Sequence, residues 1–144
     1  MSINLERFNQ DLLLEINLME KFLEVVIYEQ SVLASTDIDN LENILQIKAD
    51  LINELLLVSN NRLSNLAGLG FPEKNSSMTL LIRQSTNVSL EQQWQKLINI
   101  GSQADEINKN NGYIVNGLFF SNQKSLAFLQ GKSINSLYGP DGRS

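Results

Sequence analysis

The stretch from Ile3 to Ala34, INLERFNQDLLLEINLMEKFLEVVIYEQSVLA, contains neither Gly nor Pro and decides the fold class. Leu5, Phe8, Leu12, Ile16, Met19, Leu23, Val26 and Leu33 recur in it at steps of three and four, broken by one gap of seven. That spacing lines apolar side chains along one face of an α-helix, not along the alternating face of a strand. A helix of this length spans roughly 45 Å at 1.5 Å per residue. A compact chain of 144 residues has a diameter under roughly 40 Å. The helix outruns the sphere, so the molecule is expected to be elongated.

Reading outward, Ser35–Thr36–Asp37 offers cap residues, and Thr36 with Asp39 resembles a capping box. A second stripe follows through Ile38, Leu41, Ile44, Leu45, Leu51, Ile52, Leu55, Leu56, Leu63 and Leu66. It ends at Gly68–Leu69–Gly70–Phe71–Pro72, where two glycines and a proline stop a helix. Ser76 or Ser77 can cap a short helix through Met78, Leu80, Leu81 and Ile82. Ser89 with Gln92 then reads as a capping box opening a third long helix, Leu90 toward Leu129, with Gly131 as its C′ residue. The expected architecture is all-α, an elongated antiparallel helical bundle of three long helices plus one short helix, with a flexible C-terminal tail. Residues 1–131 form the bundle and 132–144 the tail.

Composition narrows the function. The chain has no Cys and no His, which removes thiolate sites, Cys nucleophiles, the commonest general base and the commonest transition-metal ligand. No metal or other cofactor and no enzyme activity are expected. A net charge of -5 argues against a nucleic-acid partner. The opening MSINLERFNQDLLLE is no secretory signal, and no apolar run exceeds four residues, so membrane insertion is not expected and the chain reads as cytoplasmic. The carboxylates Glu6, Asp11, Glu15, Glu20, Glu24 and Glu29 are dispersed with Arg7 and Lys21 along the first helix and read as a solvated face.

Other features read as recognition surfaces. Val25–Tyr28 and Leu55–Val58 are each apolar at four consecutive positions, which go right round a helix at about 100° per residue. Some of these side chains must face away from one core stripe, in a helix buried on several sides, as scattered exposure, or as a surface for another helix. On the third helix Trp94, Leu97, Ala104, Val115, Leu118 and Leu126 share the core face, while Tyr113 and Phe120 share another. That aromatic pair is either accessible for binding or covered by the short helix near Met78. Asn108 and Asn111 stand on the core stripe beside Gly112, setting helix register or forming a partner-binding notch. In Leu137–Tyr138–Gly139–Pro140–Asp141–Gly142 a turn follows a Leu-Tyr anchor, a docking motif or a tail that folds back.

A long helical pair, W-x-x-L at Trp94–Leu97, N-x-x-N-G at Asn108–Gly112 and L-Y-G-x-x-G at Leu137–Gly142 together resemble the FlgN family across nearly the whole chain. The resemblance implies a cytoplasmic chaperone for the flagellar hook–filament junction proteins. It would bind their amphipathic C-terminal helical segments, prevent premature self-association and deliver them to the cytoplasmic domain of the type III export gate. It implies gate docking at Tyr138 within the Leu137–Tyr138–Gly139 motif, while the off-stripe aromatic pair and the amide notch put client binding at Asn111, Tyr113 and Phe120. A homodimer in the client-free state is a further expectation, and a permanently dimeric helical adaptor is the alternative.

Overall fold

A computed structural model of the chain describes residues 2–35 and 38–118. In chain order these form α1 (Ser2–Ser35), a 3₁₀ turn (Ile38–Asn40), α2 (Leu41–Gly68), α3 (Ser77–Ser85) and α4 (Val88–Leu118). The described residues contain no strand. With 34 residues, α1 extends about 51 Å, and the bundle is long for its mass. The expected extension of the last helix to Leu129 and the tail 132–144 lie outside the described residues.

Helix direction follows from the cross-helix pairs. Asp11 with Asn65, Glu15 with Arg62, and Glu29 with Lys48 climb one helix as they descend the other, so α1 and α2 are antiparallel. Glu20 with Lys96 and Glu29 with Asn111 rise together, so α4 runs parallel to α1. The result is an up-down-up bundle in which α1 packs along both long partners.

The core contains Phe8, Leu12, Met19, Phe22 and Val26 of α1, Ile52, Leu55 and Leu66 of α2, Met78 of α3, and Leu90 and Leu97 of α4. Phe22 is fully buried, whereas Leu23, the residue on the expected stripe, is only partly so. Two flanking helices widen the buried face of α1 beyond a single stripe. A smaller cluster, Leu41 with Val115 flanked by Leu33 and Leu45, closes the end where α1 turns into α2.

Helix ends diverge from expectation in two places. Asn40 precedes α2 without a side-chain cap, and α2 grows out of the 3₁₀ turn at Leu41; Thr36 of the expected Thr36–Asp39 box lies outside the described residues. Asn40 Nδ2 instead donates to Tyr28 Oη at 3.1 Å. At α4 the cap is Asn87, whose Oδ1 accepts from Leu90 N at 3.0 Å, and the helix therefore opens at Val88, ahead of the Ser89–Gln92 pattern. Ser89 Oγ is engaged by Gln93 Nε2.

Among the described residues, two sit in the left-handed region. Gly70 has φ +94° and closes α2 in a Schellman arrangement, with Phe71 N donating to Leu66 O and Gly70 N to Ala67 O. Thr86 ends α3 at φ 50°, where a β-branched residue is strained. Exchanging the residue types should move stability in opposite directions. Gly70→Ala should cost about 1 kcal/mol through backbone conformation alone, because an added Cβ meets nothing within 4 Å. Thr86→Gly should add about 0.5–1 kcal/mol. Urea midpoints of the two variants check both signs.

Candidate functional site

About two turns from the end where α1 passes into α2, the apolar stripes of the three long helices give way to polar residues at one level. Glu29 of α1, Lys48 of α2 and Asn111 of α4 are all buried there. Lys48 Nζ donates to Glu29 Oε1 at 2.9 Å and to Oε2 at 3.2 Å. Asn111 Nδ2 donates to Glu29 Oε1 at 2.8 Å and to Val26 O at 2.9 Å. Burial is the larger influence on Lys48 and pushes its ammonium below the ordinary value of 10.5, against the upward pull of Glu29.

A second buried network lies nearer the start of α1. Arg62 Nε and Nη2 reach the two oxygens of Glu15 at 2.9 and 3.3 Å, a bidentate pair. Arg62 Nη1 donates to Asn75 Oδ1 at 2.8 Å, and the guanidinium lies 4.8 Å from the Trp94 ring centroid. One side chain thus ties α1, α2, the segment before α3, and α4.

These networks correct the reading of the first helix's carboxylates as a solvated face. Glu15 and Glu29 are fully buried, because each meets a cation on α2 that satisfies it inside. Asp11 accepts from Asn65 Nδ2 of α2. The sequence pattern puts Glu15 and Glu29 on a solvated face and marks neither Lys48 nor Arg62, although Glu29 falls inside the one seven-residue gap of the first stripe.

The candidate client-binding residues separate. Asn111, on the core stripe, is 1% exposed, and its amide donors are engaged inside by Glu29 and Val26. Its role is to satisfy a buried carboxylate. Tyr113 is 68% exposed, with Ile114 beside it at 47%. The short helix does not cover Tyr113: α3 borders α4 around Glu91–Ile100, and Tyr113 lies more than three turns further on. Phe120, Leu137, Tyr138 and Gly139 lie outside the described residues.

The four-residue apolar runs divide as their length requires. Val26 and Leu55 enter the core, while Ile27, Tyr28 and Leu57 are exposed, Leu57 at 71%. Trp94, expected inside with Leu97, is half-buried, and it lines an open groove of about 650 Å³ between α3 and α4 with Ile82, Lys96 and Ile100. Among the described residues no group of three or more acidic side chains could hold a metal ion. No described helix is long and apolar enough to cross a membrane. The arrangement offers apolar helix faces for another helix to cover.

Comparison with known proteins gives one consistent result. The family model described as FlgN protein matches residues 1–144. The chain is 27% identical over 141 residues to the flagella synthesis protein FlgN of Yersinia enterocolitica, covering 96% of this chain and 90% of that protein. It is 25% identical over 92 residues to the flagella synthesis protein FlgN of Salmonella typhimurium, covering 64% of this chain and 66% of that protein. No solved structure matches the chain.

Proposed function

The chain belongs to the FlgN family, and from that premise we propose that it serves flagellar synthesis as a cytoplasmic export chaperone. It binds the amphipathic C-terminal helical segments of hook–filament junction proteins, keeps them from self-association, and hands them to the cytoplasmic domain of the export gate. The observation that carries this reading is the set of large apolar side chains left exposed on the three long helices, among them Tyr28, Leu57, Tyr113 and Ile114. A monomer gains nothing from exposing them, whereas a helix laid against such side chains buries apolar surface on both partners. Burial of this kind requires no nucleotide hydrolysis.

The same surfaces would also serve a permanently dimeric adaptor. Size-exclusion chromatography with light scattering, run with and without a C-terminal peptide of a junction protein, separates the two. The chaperone forms a client complex at the expense of any self-association. A dimer of unchanged mass that ignores the peptide would refute the reading.

Delivery is assigned to Leu137, Tyr138 and Gly139. Tyr brings a rigid ring and a large contact area at small ordering cost. Deleting the residues after Gly131 should leave the melting temperature and client affinity nearly unchanged while weakening binding to the isolated gate domain. Tyr138→Ala should reproduce most of that loss. Equal gate affinity for the wild type and both variants would overturn the assignment.

A further inference from the structure

We propose that the C-terminal half of α4, from Gly101 to Val115, opens and closes against α1 as a unit separate from the rest of the bundle, and that a client helix docking on its Tyr113 face draws it closed. The coupling to a client rests on the chaperone reading. The opening does not.

The two halves of α4 are built from different residues. In the first half, Leu90, Leu97 and Ile100 are buried and Trp94 is half-buried, and all four belong to the main core cluster. In the second half the buried positions are Gly101, Ala104, Asn108, Asn111, Gly112 and Val115, with Ile107 partly buried against the main core. Four of the six buried positions are glycine or amide side chains, which bring little apolar surface to the contact, so the hydrophobic term is weaker in the second half than in the first.

Polar satisfaction is incomplete there as well. Asn108 is fully buried, yet neither its Nδ2 nor its Oδ1 meets a hydrogen-bond partner, and Asn111 Oδ1 also lacks one. Each such group has lost its hydration without replacement, and opening returns it to water. Few apolar contacts and unpaired amides together mark a segment that opens locally before the fold as a whole. Gly101 stands at the junction of the two halves, where a glycine inside a helix lowers the resistance to bending. The closed position is held by Asn111 donating to Val26 O and Glu29, and by Val115 packed with Leu41.

Tyr113 is two positions beyond Asn111, about 200° round the axis. It is exposed while Asn111 is buried, so the two occupy opposite sides of the same half-helix. A partner helix seated on Tyr113 and Ile114 needs that half ordered, and it binds the closed form better than the open one. Binding therefore shifts the equilibrium toward closure.

Hydrogen exchange on the full chain, read by mass spectrometry, tests the opening without any client. Amides of residues 104–115 should exchange at least about tenfold faster than those of residues 90–100 in the same helix. Equal protection of the two halves would overturn the proposal. Asn108→Leu, which replaces the unpaired amide by an apolar side chain, should slow exchange in 104–115 by about tenfold and leave 90–100 unchanged. If Leu cannot be accommodated, Asn108→Ala should act in the same direction. Acceleration of 104–115 in a folded Asn108→Ala protein would show that the amide holds the half-helix closed, contrary to the proposal.

A C-terminal peptide of a hook–filament junction protein then tests the coupling. Added to the wild type, it should slow exchange in 104–115. Binding without that change would remove the coupling and leave the chaperone reading standing. Absence of binding would remove both, while the exchange pattern of the free protein still decides the opening.

Discussion

Lys48→Met with Glu29 left in place should lower the unfolding free energy by about 3–5 kcal/mol, because it strands a buried carboxylate. Lys48 and Glu29 are each fully buried and 2.9 Å apart, and the amide of Asn111 cannot neutralise a charge. Replacing the whole layer, as in Glu29→Leu with Lys48→Met and Asn111→Leu, should restore most of the loss, since apolar residues of similar volume often substitute for a buried ion pair without penalty. Urea denaturation of the single and triple variants distinguishes a layer that adds stability from one that fixes register. A single variant within about 1 kcal/mol of the wild type would contradict the burial of an obligatory pair.

The same layer carries a pH signature. Burial lowers the Lys48 value below 10.5, so the native state binds this proton less firmly than the unfolded chain. Between the lowered value and 10.5 the unfolded chain holds more protons, and stability attributable to Lys48 rises with pH across that window. Below the lowered value the penalty of burying the charge is fully present. The wild type should accordingly gain stability relative to the triple apolar variant as pH climbs toward 10.5.

Leu97→Ala should cost about 2–5 kcal/mol through the cavity it leaves. Leu97 is fully buried in the cluster that joins all four helices. The melting temperature should fall before any client contact changes, because the side chain faces the interior and not the Tyr113 surface. A Leu97→Ala protein of unchanged stability that had lost client binding would place the wrong face of α4 inside.

The helices were legible because apolar spacing records which face each one buries. Phe8, Leu12, Ile16, Met19 and Val26 lie on the expected stripe and are all buried. The polar layer was written in the same pattern, but as interruptions. The first stripe skips from Val26 to Leu33 around Glu29, the second from Leu45 to Leu51 around Lys48, and the third from Ala104 to Val115 around Asn108 and Asn111. A gap in one stripe says only that a position is not apolar. Its meaning appears when three gaps arrive at one level, and that depends on helix direction and register. Helix starts were less legible, since Asn87 and Ser89 both offer a cap oxygen and geometry alone selects Asn87. The exposed position of Tyr113 was legible because it departs from the core stripe, whereas Asn111 lay on the stripe and was hidden for that reason.

Calorimetric titration of a junction-protein C-terminal peptide into the wild type and into Tyr113→Ala with Phe120→Ala tests the central claim most directly, with circular dichroism to verify the fold. Truncating a central aromatic anchor costs about 2 kcal/mol or more, so the double variant should bind roughly thirtyfold more weakly while keeping its helical spectrum. Unchanged affinity in a folded double variant would contradict the assignment of this face to client binding.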